Sequence, residues 1–291
     1  MRELPSRRPL GKRTAVLALL AMAAMIAGAS LDLFASDRLP GSGGLAIAAK
    51  FFSRALTPAL DYETTPPPGT EPLLIKALVA AGDTAVFAAS AMSIALPAGL
   101  LLGILASSVW WVPDPAGHSS PAAWLLARSL FPLLWSGTRL FIGFIRSIHE
   151  LLWAVLFLTA FGLGSFAAIL AIAVPYSGIL AKVFSEMIDE APRGPGRALQ
   201  ASGAGAGQAF LFGYLPRALP DMSAYAFYRF ECALRSSAIL GFFGFPTLGY
   251  FIAASFENLH YGEVWTYLYT LLLLVAAADW WSGALRRDFA A

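Results

Sequence analysis

The sequence predicts an all-α membrane protein with about six transmembrane helices. Three observations carry that prediction. Charge is scarce: 20 Lys and Arg with 18 Asp and Glu make 13% of 291 residues, where a soluble domain carries about 25%. Apolar residues are in excess, at 58%. They also gather into uncharged windows of about twenty residues, the length of helix that crosses ~30 Å of hydrocarbon. A soluble globule of this size needs more charge to wet its surface. The composition therefore excludes a cytosolic enzyme, a disordered chain and a nucleic-acid binder. A net charge of +2 gives no general attraction to polyanions. The single cysteine, Cys232, excludes an intrachain disulfide and a thiolate zinc site.

The elements follow in order. Arg2, Arg7, Arg8, Lys12 and Arg13 precede an uncharged run from Thr14 to Leu31. A signal peptide looks similar, and Ala27 to Ser30 is a passable cleavage site. The rest of the chain is equally membrane-like, so the run reads as an uncleaved first span. Residues 32–76 mix acids and bases around Thr64-Thr65-Pro66-Pro67-Pro68-Gly69, and the amphipathic piece 45–56 suits a bilayer surface. Residues 77–110 hold one charge, Asp83, and form the second span, with Pro97 a kink and Trp110-Trp111 an interfacial belt.

Residues 112–140, broken by prolines and by Arg128 and Arg139, read as a loop plus an interfacial helix. The apolar stretch from Phe141 to Met187 is too long for one span. Gly162-Leu163-Gly164 divides it into spans at about 141–161 and 165–187. For the fifth span, hydropathy alone selects Ser236 to Phe256. The alternative at about 219–243 buries Arg229, Glu231 and Arg235. The last span covers about 264–285, before Arg286-Arg287. Basic residues cluster in the segments that are inner when the N-terminus is inside, while 244–263 has only Glu257 and Glu263. Six spans with both termini cytoplasmic satisfy this positive-inside bias.

The polar segment 188–216 is the informative one. In it, Arg197-Ala198-Leu199-Gln200-Ala201-Ser202-Gly203-Ala204 is followed by Leu215-Pro216. This resembles the EAA loop of bacterial ABC importer permeases, whose pattern is Glu-Ala-Ala, three residues, Gly, nine residues, Ile, any residue, Leu-Pro. Ala198, Gly203, Leu215 and Pro216 match. Arg197 stands at the glutamate and Gly213 at the isoleucine. Further stretches resemble phosphonate-importer permeases in particular. They are Arg146-Ser147-Ile148-His149-Glu150-Leu151-Leu152-Trp153-Ala154, the turn Gly162-Leu163-Gly164, Tyr228-Arg229-Phe230-Glu231 with Arg235-Ser236, and Tyr261-Gly262-Glu263-Val264. Order and spacing agree over about residues 77–287.

The resemblance implies a type I, methionine-importer-like permease fold in the bacterial inner membrane. It divides the chain into 1–76 (tail, first helix and outer loop) and a transmembrane domain, 77–287, with its ATPase-coupling loop at about 188–216. It places the fifth span at about 217–243. It implies an ABC ATPase dimer docked at Arg197, Ala198, Leu199, Ala201, Ser202, Gly203, Ala204, Leu215 and Pro216. It also implies a second permease subunit, identical or paralogous, and a periplasmic or lipid-anchored solute-binding protein. The cargo it implies is a phosphonate or a related small phosphorus oxyanion. Phosphite, hypophosphite and an amino acid such as methionine are the alternatives. The chain has no Gly-x-x-x-x-Gly-Lys-Ser/Thr loop, so ATP and Mg belong to the partner. An ion-coupled secondary transporter needs repeats, and none is clear. A membrane enzyme needs a catalytic constellation, and none is visible. His149 and His260 lack neighbours at metal-ligand spacing, so no metal site is expected.

Charges at mid-bilayer cost ~2.5–3.5 kcal/mol on insertion scales and belong in a bundle interior or a water-filled path. Asp83, Arg229, Glu231, Arg235, Ser236 and Ser237 are therefore the candidate path residues. Helical spacing pairs Glu231 with Arg235, and Arg146 with Glu150 as a structural anchor. Arg235 suits an oxyanion because its fork binds two oxygens at once.

Overall fold

The computed structural model describes residues 11–31, 42–109 and 121–289. The basic residues before Gly11, the Trp110-Trp111 pair and the prolines at 113 and 115 lie outside them. So do the side chains of Arg128, Arg286 and Arg287. Two compact units divide after Thr57. The first holds α1 (Lys12–Ser30) and α2 (Ser42–Ser53), the latter prolonged by a 3₁₀ turn at Arg54–Leu56. Leu17 and Ile26 of α1 are each 65% exposed, as suits a helix meeting lipid.

The second unit begins at Pro58, so residues 58–76 belong to it. The physical reason is a strap. The Ala59 amide donates to Gly262 O (3.1 Å), and the Glu63 amide to Glu263 Oε1 (3.0 Å). In return the Gly262 amide donates to Glu63 Oε1 (2.9 Å). Glu263, 5% exposed, also accepts from Ser255 Oγ (3.0 Å) and faces His260 Nδ1 (3.4 Å). Burial, together with Glu263, Glu71 and Asp61, pushes the Tyr62 phenol above its usual range. That phenol stays a donor to Glu71 O, at 2.9 Å.

The core pair is α3 (Leu73–Ala106) and α6 (Ser165–Glu190). Small residues let them approach: a Cβ at Gly99 would lie 2.6 Å from Leu180 Cβ, and one at Gly103 3.0 Å from Phe184 Cβ. Without a hydrophobic drive between helices in lipid, such close backbone packing does the work. Helix α4 (Pro121–Ser147) continues to Ser147, and α5 (Glu150–Phe161) leaves it at 89°. The helix expected within 112–140 is present from Pro121 and runs on to Ser147, the preceding loop lying outside the described residues. One expectation is corrected: 141–161 is two helices. His149 makes the break: it is extended (φ −66°, ψ 146°) and caps α5 through Nδ1, which accepts from the Leu151 amide at 3.3 Å. Gly162, at φ +79°, then turns the chain into α6.

After α6 come α7 (Gly194–Ala201), the single turn α8 (Ala206–Ala209) and a π-turn over Phe210–Tyr214. Helix α9 (Leu215–Ile239) runs on as 3₁₀ to Phe243, and α10 (Leu248–Glu257) departs at 49°. The window 236–256 is thus interrupted at 244–247, and the helix lies directly after Leu215-Pro216. Thr84 holds this corner: Ser237 Oγ donates to Thr84 O (2.7 Å), and the Leu248 amide to Thr84 Oγ1 (3.1 Å). Helix α11 (Tyr261–Phe289) completes the bundle. Among the described residues four helices are long and apolar enough to cross a bilayer, or up to six if each bent pair counts as one span.

Candidate docking helix and translocation face

Helix α7 starts with Pro195 near its N-terminus and ends where Gly203 takes φ +93°. Its inner edge is made by glycines. A Cβ at Gly213 would lie 2.6 Å from Gly196 Cα, and one at Gly196 would strike the Tyr214 ring. Backbone therefore crosses backbone between α7 and the π-turn, which accounts for glycine at 213. Arg193 reinforces the joint by stacking 5.5 Å above the Tyr214 ring. Arg197, Ala198, Gln200, Ala201, Ser202 and Gly203 are exposed, while Leu199, Ala204 and Leu215 are half-buried. Pro216 is exposed at the head of α9.

At the root of α7 sits a polar knot that the sequence did not reveal. Asp189 Oδ1 accepts from Ser107 Oγ (2.7 Å), the Ser108 amide (2.8 Å) and Ser108 Oγ (3.1 Å). Its Oδ2 meets Arg139 at 3.3 Å, and Arg139 Nε donates to Ala106 O at 3.0 Å. Arg193 donates to the Asp189 carbonyl at 2.7 Å. One carboxylate thus joins the ends of α3 and α6 to α4, five residues before the start of α7.

Helix α9 carries a polar stripe. At ~100° per residue, Arg217, Asp221, Tyr225, Tyr228, Cys232 and Arg235 fall within one narrow sector. Each is exposed or half-buried, while Met222, Ala233, Leu234 and Ser237 opposite are buried. Arg229 leans onto the stripe: its Nε donates to Tyr225 Oη (2.7 Å), and its guanidinium lies 5.2 and 5.8 Å from the Tyr225 and Tyr228 ring centres. A cavity of about 640 Å³ opens at the Arg217 end, lined by Glu190, Pro192, Asp221, Tyr225 and Tyr228. Sequence reasoning found Arg229 and Arg235 but missed the others, although their 3–4 residue spacing was readable.

Two expected ion pairs are corrected. Arg146 and Glu150 lie on different helices across the 89° bend. Glu150 Oε1 instead accepts from Ser236 Oγ (2.8 Å), which is bonded to Tyr176 Oη at 2.9 Å. Glu231 and Arg235 do not pair either. Arg235 donates to Cys232 Sγ at 3.3 Å, while one Glu231 carboxylate oxygen is buried without a hydrogen-bond partner among the described residues. Ser237, 0% exposed, turns its hydroxyl to Thr84 and Leu234. It offers nothing to an open path, and Ser236 spends its proton on Glu150. Asp83 is half-buried on α3 and does not pair with Arg229.

Residues 119–290, more than half of the chain, match the family described as binding-protein-dependent transport system inner membrane component. The chain belongs to this family. This permease is 30% identical over 191 residues to the phosphite transport system permease protein PtxC of Stutzerimonas stutzeri, covering 65% of this chain and 70% of that one. It is 31% identical over 190 residues to the phosphate-import permease protein PhnE of Mycolicibacterium smegmatis, where it spans 65% of itself but only 35% of the relative. Among solved structures, an amino acid ABC transporter matches with TM-score 0.57 at 18% identity, over 74% of this chain and 94% of that one. The MetNI methionine ABC transporter, in an inward-facing form, matches with TM-score 0.53 at 21% identity, over 74% and 95%. The permease therefore has the all-α, multi-span fold of ABC importer permeases.

Proposed function

We propose that this chain is the permease subunit of an ATP-driven type I importer that passes a small phosphorus oxyanion inward by alternating access. The polar stripe of α9 carries the reading. Two arginines, two tyrosines and an aspartate on an open helix face are too costly to present to lipid. They suit a water-filled path at the junction with a second permease copy or a paralogue. The terminal nitrogens of Arg229 and Arg235 are the groups for a tetrahedral oxyanion, since a guanidinium fork matches two of its oxygens. Two spaced cations bind weakly enough to release. Tyr225 and Tyr228 hold Arg229 in place.

In this reading six spans place both termini in the cytoplasm. The paired α7 helices dock on an ABC ATPase dimer, and a solute-binding protein delivers cargo to the strap side. ATP-driven closure shifts α7, and the Asp189 knot and the Gly196–Gly213 crossing pass that shift to α3, α4 and α9. Relatives that carry phosphite, phosphate or phosphonate names support a tetrahedral phosphorus oxyanion as the cargo class. The test is uptake into proteoliposomes that hold the permease, its co-purified ATPase and the binding protein, with radiolabelled phosphite and phosphonates as probes. ATP-dependent uptake is expected. Transport that persists without ATP hydrolysis, or a permease that co-purifies with no ATPase, refutes the reading.

A further inference from the structure

We propose that the groove receiving α7 presents a carboxylate to Arg197, so that the permease–ATPase contact is an arginine-to-acid pair with the cation on the permease side. The proposal rests on the reading of α7 as the ATPase-docking helix and adds the chemistry of its receptor. Two arginines stand one turn apart in this segment, and the structure spends them differently. Arg193 is turned inward, with its guanidinium on the Asp189 carbonyl and over the Tyr214 ring. Arg197 is exposed and paired with no carboxylate among the described residues. It is the one charge within Gly194–Ala201. Around it the outward face is Ala198, Gln200, Ala201 and Ser202, all exposed.

That face fits a protein groove better than a lipid surface. A helix lying on a bilayer needs a broad apolar side. In α7 the sole large apolar residue, Leu199, is half-buried on the inner edge. Small side chains instead let a receiving wall come close, which strips water from whatever lies among them. A guanidinium desolvated in that way is tolerated only when paired, because an unpaired buried charge costs several kcal/mol. The wall opposite Arg197 must therefore supply a carboxylate.

The experiment uses the full-length permease co-expressed with its ATPase, with affinity measured in nanodiscs. Wild-type assembly is the control: if the wild type does not bind the ATPase, the docking reading itself fails, separately from this proposal. Given wild-type binding, Arg197→Lys is expected to assemble, and Arg197→Glu to weaken assembly at least about tenfold while remaining monodisperse in detergent. Reversing the facing ATPase acid to lysine is expected to restore Arg197→Glu and to weaken the wild type. Three results overturn the proposal. One is Arg197→Glu binding as well as, or better than, the wild type. Another is a loss that no single acid-to-lysine change on the ATPase surface rescues. The third is a loss that follows the anionic lipid content of the nanodisc rather than the ATPase's acids.

Discussion

Asp189→Ala is the most informative substitution at the base of α7. It removes an acceptor for Ser107 Oγ, the Ser108 amide and Ser108 Oγ, and it ends the contact with Arg139. Ser107 is 0% exposed, so its hydroxyl loses its acceptor without gaining water. A buried donor left unsatisfied costs about 1–3 kcal/mol. The Arg139 contact adds little, because Arg139 is 39% exposed and surface pairs are worth about 0–1 kcal/mol. The sum is about 1–4 kcal/mol, concentrated where α3, α4 and α6 meet. Asp189→Asn keeps one acceptor for the serines but turns an amide toward Arg139, so it should lose about half as much. Thermal unfolding in detergent checks the ranking. The stimulation of the ATPase by the permease in nanodiscs checks the coupling role, and it should fall more than stability does. Asp189→Ala that unfolds with the wild type and couples fully would refute the reasoning.

Further substitutions probe other contacts. Gly213→Ala places a methyl against the Gly196 backbone and should cost about 1–3 kcal/mol as an overpacked site, with ATPase stimulation lost while the transmembrane helices stay folded by circular dichroism. Glu150→Gln keeps an acceptor for Ser236, whereas Glu150→Ala strands it. Thermal melts in lipid should separate the two by about 0.6–1.7 kcal/mol, the scale of single polar contacts between membrane helices. Arg235→Ala should reduce oxyanion uptake in proteoliposomes with little change in melting temperature, since Arg235 is exposed and, among the described residues, bonds only Cys232. Glu263→Ala removes the acceptor for both Ser255 and the Glu63 amide and should make the 58–72 strap the first site of proteolytic cleavage.

Sequence and structure divide the problem along a physical line. Membrane class was legible because hydrocarbon forces long uncharged windows, and scarce charge cannot hide. The turn at Gly162 was legible because the left-handed backbone it adopts favours glycine. The candidate docking segment stood out because its small residues and Leu215-Pro216 are local. Long-range partners were not. Glu150 meets Ser236 across 86 residues and Asp189 meets Ser107 across 82. Helical spacing instead offered Glu150 and Glu231 neighbours four residues away. For Glu150 that neighbour was unreachable, because His149 breaks the helix between it and Arg146. Periodicity also assembles the α9 stripe without saying which way it faces. In a helix with polar and apolar groups on several sides, only the packing of α3, α6 and α11 against it decides which sector stays open. The sequence by itself determined a membrane permease and most of its helical windows, and it marked 188–216 as the candidate docking segment. The tertiary structure decided which charges hold the bundle together and which are left for a partner or a cargo, because that depends on which neighbours reach each charge first.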